Sequence, residues 1–177
     1  MLIVERYLKY LQDQHYIRGQ RPGKKPAPTF AWELVHGKEY PGWRPGRAPG
    51  GTEERPYKNY YVDKHLKDKW LDDLNRVKNI ETRSSCEGHG PPGEMVLDWP
   101  TYVGFRLDPS VESKKKADDV VKKLNRDKNT RAGWDIGVEK RPRIICAAPL
   151  YYKCAKQDEW LKWWNTLASR IDKAVNG

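Results

Sequence analysis

A short echo constrains this fold more than any other feature. Leu74-Asn75-Arg76-Val77-Lys78-Asn79 returns as Leu124-Asn125-Arg126-Asp127-Lys128-Asn129. Each copy closes a helix-like stretch and precedes a pair of strand-like runs. The chain therefore reads as two helix-strand-strand units, roughly 62–107 and 111–148, with a terminal helix appended. Two such units can share one small, mostly antiparallel four-stranded sheet, backed by helices on one face and open on the other. The expected class is α+β, in a ferredoxin-like sandwich or a circular relative of it.

Periodicity supplies the elements. Val62, Leu66, Trp70, Leu74 and Val77 fall on one helical face over 61–77, with Asp63 as an expected N-cap. Ile80–Cys86 and Thr101–Leu107 read as the first two strands, and Thr130–Val138 and Arg143–Ala148 as the second two. Ser110 is positioned to cap a mostly exposed basic helix over roughly 111–126. From Gln157 to Val175, the residues Trp160, Trp163, Trp164, Leu167, Ile171, Ala174 and Val175 form an apolar stripe, read as core rather than as a stacking surface.

The first 60 residues differ in character. Residues 2–15 have amphipathic helical spacing. From 16 to 60, Gly and Pro recur too often for a continuous helix or ladder, so an extended arm is expected, with a compact domain over 61–177. The arm carries Phe30, Trp32, Tyr40, Trp43 and Tyr57, rings that a free linker would lack. They imply docking, on the protein's own domain or on a partner.

Charge suggests the partner. Lys and Arg number 34 against 24 Asp and Glu, a formal net charge of +10. Eight Trp and ten Tyr accompany only two Phe. Basic residues mixed with aromatics suit phosphate contact and base stacking. The leading expectation is a non-catalytic binding protein for RNA or DNA, or for the protein subunits of a nucleoprotein or virion-like assembly. Its contacts would be Arg18, Arg21, Lys24, Lys25, Arg44 and Arg47 of the arm, with Lys114, Lys115 and Lys116 of the basic helix. Three cysteines, an odd number, favour free thiols in a reducing compartment, the cytoplasm. No apolar run approaches the ~20 residues of a membrane span, and Glu5 and Arg6 interrupt any signal-type apolar start.

The densest chemistry is Arg83-Ser84-Ser85-Cys86-Glu87-Gly88-His89-Gly90. Hydroxyls, a thiol, a carboxylate and an imidazole end a strand beside permissive glycines. Alternation places Arg83, Ser85 and Glu87 on one face, and Ser84 and Cys86 on the other. Arg83, Ser84, Ser85, Glu87 and His89 can surround an anion or small ligand, joined by Arg106 from the next strand. This is the alternative to nucleic-acid binding: a small enzyme or ligand-binding protein. Cys86 and His89 are its catalytic candidates, although two residues separate them. A metal site built from Cys86, His89, Cys146 and Cys154 has suitable donor types but lacks tight pair spacing. No metal and no cofactor are therefore expected. Nucleotide-binding glycine loops and metalloprotease or nucleophile-elbow motifs are absent from the sequence.

A helix, a strand and then Ser84-Ser85-Cys86-Glu87-Gly88 resembles a segment of the wybutosine-synthesising family of tRNA methyltransferases, the third enzyme of that pathway. The resemblance implies a tRNA substrate and S-adenosylmethionine. It covers only this segment, and His89 stands where the family's motif carries Arg.

Overall fold

A computed structural model describes residues 54–58, 60–90, 92–93, 100–136 and 140–177. The expected helix over 2–15 and nearly all of the expected arm lie outside the described residues.

The described chain opens with a two-stranded antiparallel hairpin, β1 (Glu54–Tyr57) and β2 (Tyr60–Asp63). Lys58 in its turn has φ 51°, the left-handed conformation that two-residue hairpin turns use. The hairpin spans position 60, where the sequence suggests a boundary. It also shortens the helix expected over 61–77. Tyr60, Tyr61 and Val62 are β-favouring residues paired to β1, and helix α1 starts only at Asp68 and ends at Arg76. Asp63 is thus the end of a strand, not an N-cap. The predicted apolar face otherwise holds, since Leu66, Trp70, Leu74 and Val77 are all buried.

The main sheet contains β3 (Ile80–Cys86), β4 (Thr101–Leu107), β5 (Arg131–Ile136) and β6 (Pro142–Ala148). Its order is β3-β4-β6-β5, antiparallel throughout. Helix α2 (Lys114–Leu124) links β4 to β5, and α3 (Gln157–Asn176) ends the chain. Ser113, not Ser110, caps α2: its Oγ accepts from the Lys116 N–H at 3.0 Å. Two helix-strand-strand units therefore share the sheet, with their hairpins meeting at β4 and β6. Moving β6 to the front of this order gives β-α-β-β-α-β with α3 left over, so the topology is a circular permutation of the ferredoxin-like sandwich with one added helix.

Helix α3 lies between α1 and α2 on one face of the sheet. Its Trp stripe forms the core, as the sequence predicts. Trp70 of α1 stacks on Trp164 at 5.6 Å and meets Trp160 edge-on at 5.4 Å. Burying indoles demands partners for their N–H groups. Trp70 donates to Asn165 Oδ1 at 2.7 Å, Trp163 to Thr130 Oγ1 at 3.1 Å and Trp164 to Thr101 Oγ1 at 3.0 Å.

The opposite face departs from expectation. Cross-strand pairing puts Tyr102, Gly104 and Arg106 on it, with Ser84 and Cys86 from β3 and Ile145 and Ala147 from β6. Tyr102 is 2% exposed, Ile145 1% and Arg106 5%. This is no open solvated surface.

Candidate functional site

Three segments meet beyond the end of β3. A bulge between Thr82 and Ser84 resets the strand's alternation, so Ser84 opposes Gly104 and Cys86 opposes Tyr102. Ser85 opposes Val103 on the helix-facing side. The expected separation of Ser85 from Ser84 and Cys86 therefore holds, while Arg83 is absorbed by the bulge and pairs with Glu81 at 2.7 Å.

After Cys86 the chain turns sharply. Gly88 has φ +80°, and an added Cβ there would lie 2.6 Å from the Leu150 carbonyl oxygen and 2.8 Å from the Thr101 nitrogen. Only glycine meets both conditions. The turn carries His89 back over Cys86, so that His89 Nε2 lies 3.4 Å from Cys86 Sγ. The two residues between them in sequence make this contact possible. The end of β2 supplies the third group: Asp63, Cys86 and His89 each place a donor atom within 4.8 Å of the other two. Cys86 is buried, whereas Asp63 and His89 are half-buried.

The surroundings hold this loop rigidly. The Glu87 N–H donates to Asp63 Oδ2 at 2.7 Å, and the Gly88 N–H to Cys86 Sγ at 3.4 Å. Thr101 Oγ1 donates to the Cys86 carbonyl at 2.7 Å. The Glu87 carbonyl accepts from Trp160 Nε1 at 2.9 Å and from the Tyr152 N–H at 3.2 Å. The Glu87 side chain is buried and turned away, toward His65: its Oε2 accepts the His65 N–H at 3.0 Å, and Oε1 lies 3.3 Å from His65 Nδ1. The His65 ring in turn stacks on Tyr152 at 3.6 Å.

Electrostatics distinguish among uses of the thiol. Burial, and then the Asp63 carboxylate beside it, push the Cys86 thiol well above its usual range. A nucleophilic cysteine needs the reverse, a cationic setting that favours thiolate. Burial and the Asp63 charge also raise the Glu87 carboxyl, opposed by its bonds to His65.

The anion group expected from the sequence is only partly assembled. Arg106 opposes Glu81, four residues along β4 from Tyr102, or about 14 Å of strand from Cys86. Ser85 faces the helices, and Glu87 is engaged by His65. The cysteine set also divides: Cys146 opposes Val103 on the helix-facing side, across the sheet from Cys86. All three cysteines are free and buried. Of the expected phosphate contacts, Lys114 and Lys115 are exposed, but Lys116 is half-buried and donates to the Val175 carbonyl. Arg18, Arg21, Lys24, Lys25, Arg44 and Arg47 lie outside the described residues. Asp63 and His65 escape a reading from sequence alone, because Asp63 mimics a helix cap. The signal that could have found them is the β-favouring run Tyr60-Tyr61-Val62 behind the turn at Lys58-Asn59.

No described helix is long and apolar enough to cross a membrane. No family model, curated protein or solved structure matches the chain, so the methyltransferase resemblance rests on its own short segment.

Proposed function

We propose that this protein is a small enzyme acting on a polyanion, with nucleic acid the favoured class, and that its reaction centre is the cluster of Asp63, Cys86 and His89. The observation that carries the reading is the convergence of these three groups from two separate segments, on a loop whose backbone is fastened by buried Trp160 and Thr101. Preorganisation of this kind is what chemistry requires and a plain surface turn does not. The substrate class is supported by the net charge of +10 and by exposed Lys114, Lys115, Lys122, Arg126, Lys128 and Arg131. The lysines and Arg126 lie on α2 and its connection to β5, on the helix side of the sheet, while Cys86 lies on β3 at the opposite edge and on the other face. A substrate that meets both is a polymer.

The test pairs binding with turnover. Labelled single-stranded RNA and duplex DNA are titrated against the full chain at rising salt, and the same strands are analysed for cleavage or modification. Affinity should fall steeply with salt through release of counterions. His89→Ala should abolish turnover while leaving binding and Tm in place. Salt-independent affinity would remove the polyanion. A His89→Ala protein that merely melts earlier, with its turnover intact, would remove the reaction centre.

A further inference from the structure

We propose that Asp63, Cys86 and His89 bind one divalent transition metal of the zinc class. The inference rests on the reading above that this cluster is the working site, and it adds the ion.

Geometry is the first support. Zinc bonds of about 2.3 Å to sulfur and 2.0–2.1 Å to nitrogen, at a tetrahedral angle, separate the two donors by about 3.5 Å. Cys86 Sγ and His89 Nε2 are 3.4 Å apart, and the three donor atoms are mutually within 4.8 Å. The pair therefore spans one edge of a coordination tetrahedron without any rearrangement of the loop.

Donor type is the second. A sulfur and an imidazole nitrogen exclude the all-oxygen preference of calcium and magnesium and favour zinc, cobalt or a similar ion. One carboxylate and one thiolate together match the charge of a divalent cation. Cys146 lies across the sheet, so it cannot provide a fourth donor. Among the described residues three donors converge, the number that catalytic zinc sites take from the protein, whereas closed structural sites take four.

The supporting contacts are the third. Metal donors are oriented by hydrogen bonds behind them. Here the Glu87 N–H holds Asp63 Oδ2, and the Gly88 N–H points at Cys86 Sγ. Both amides belong to the Cys86-Glu87-Gly88-His89 turn, so the segment that supplies two donors also aims the third. The left-handed Gly88 makes that turn possible.

The experiment uses the full, untagged chain, stripped of metal, and the ions themselves as probes. Titration with Co(II) should reach one equivalent and produce a thiolate-to-cobalt charge-transfer band. Zn(II) should displace the cobalt and abolish the band. Cys86→Ser should lose the band, and His89→Ala should weaken binding by at least the roughly 10–100-fold seen for outer-shell changes. Asp63→Asn serves as the variant that folds, because the amide oxygen can still accept the Glu87 N–H. It too should weaken binding, whereas Cys146→Ser should not. Failure of both ions to bind, or a cobalt band that survives Cys86→Ser, overturns the proposal. The two readings separate cleanly. Turnover lost in Cys86→Ala without any metal binding would keep the reaction centre and reject the ion. Stoichiometric metal without turnover of any nucleic acid would keep the ion and reject the enzyme.

Discussion

The indole N–H of Trp160 donates to the backbone carbonyl of Glu87 at 2.9 Å, tying the first turn of the terminal helix to the centre of the Cys86–His89 turn. A core residue thereby sets the geometry of a reactive loop. Trp160→Phe keeps most of the buried apolar area but removes the donor. Because the Tyr152 N–H still reaches the same carbonyl, the expected loss is about 1–2 kcal/mol in urea denaturation rather than collapse of the fold. Hydrogen exchange at the Gly88 amide should quicken in the same variant.

Gly88→Ala should be far more damaging. The new Cβ would meet backbone atoms at 2.6 Å and 2.8 Å, which no side-chain rotation relieves, at a φ of +80°. A loss of roughly 3 kcal/mol or more is expected from combined clash and left-handed strain. Gly93 is the internal control. It has a similar φ of +74° with open space around its would-be Cβ, so Gly93→Ala should cost only about 1–2 kcal/mol. Equal losses at the two positions would mean that crowding at Gly88 is not what matters.

Lys116 and Lys123 hold the end of α3. Their ammonium groups donate to the carbonyls of Val175 at 2.5 Å and Ala174 at 3.3 Å, where the helix dipole is negative. Lys116→Met should lower stability by about 1 kcal/mol and fray the last turn, visible as faster amide exchange after Ala174. Nucleic-acid affinity should fall less with Lys116→Met than with Lys115→Met, since the Lys115 side chain is exposed.

Acid should loosen the contact between the hairpin and α1. The Tyr57 hydroxyl donates to Asp72 Oδ1 at 2.6 Å and holds that carboxyl below its usual range. A depressed folded pKa contributes stability above the unfolded value of about 3.9, lost as pH falls through the folded one. In acid titration monitored by circular dichroism, Tyr57→Phe should show a shallower stability change below about pH 4 than the parent. Identical acid profiles would assign no role to this bond.

Thiol chemistry should be slow in the folded state. All three cysteines are buried, and burial pushes the Cys146 thiol up to about 12. An aromatic disulfide reagent at neutral pH should label the native chain slowly, and all three thiols promptly after denaturation. Fast native labelling of Cys146 would contradict its position between the sheet and α3.

The extents of β3 and β4, the pairing of two helix-strand-strand units and the tryptophan core were all legible from periodicity. Those features depend on which side of an element is apolar, and each side can be counted along the chain. Asp63 shows where that logic ends. Asp before an amphipathic run satisfies the local rule for a helix cap, yet the pairing of β1 with β2 makes it a strand end facing Glu87. The sequence by itself determined the four strands of the main sheet and the helices that back it, though not the β1–β2 hairpin, and that the 83–90 segment is rich in reactive groups. Only the tertiary structure decided that Cys86 and His89 touch, that Asp63 joins them, that Arg106 and Cys146 do not, and that the second face of the sheet is buried. Local periodicity is set by neighbours within a turn or a strand. A site is set by distances between segments far apart in the chain, and those exist only once the core has packed.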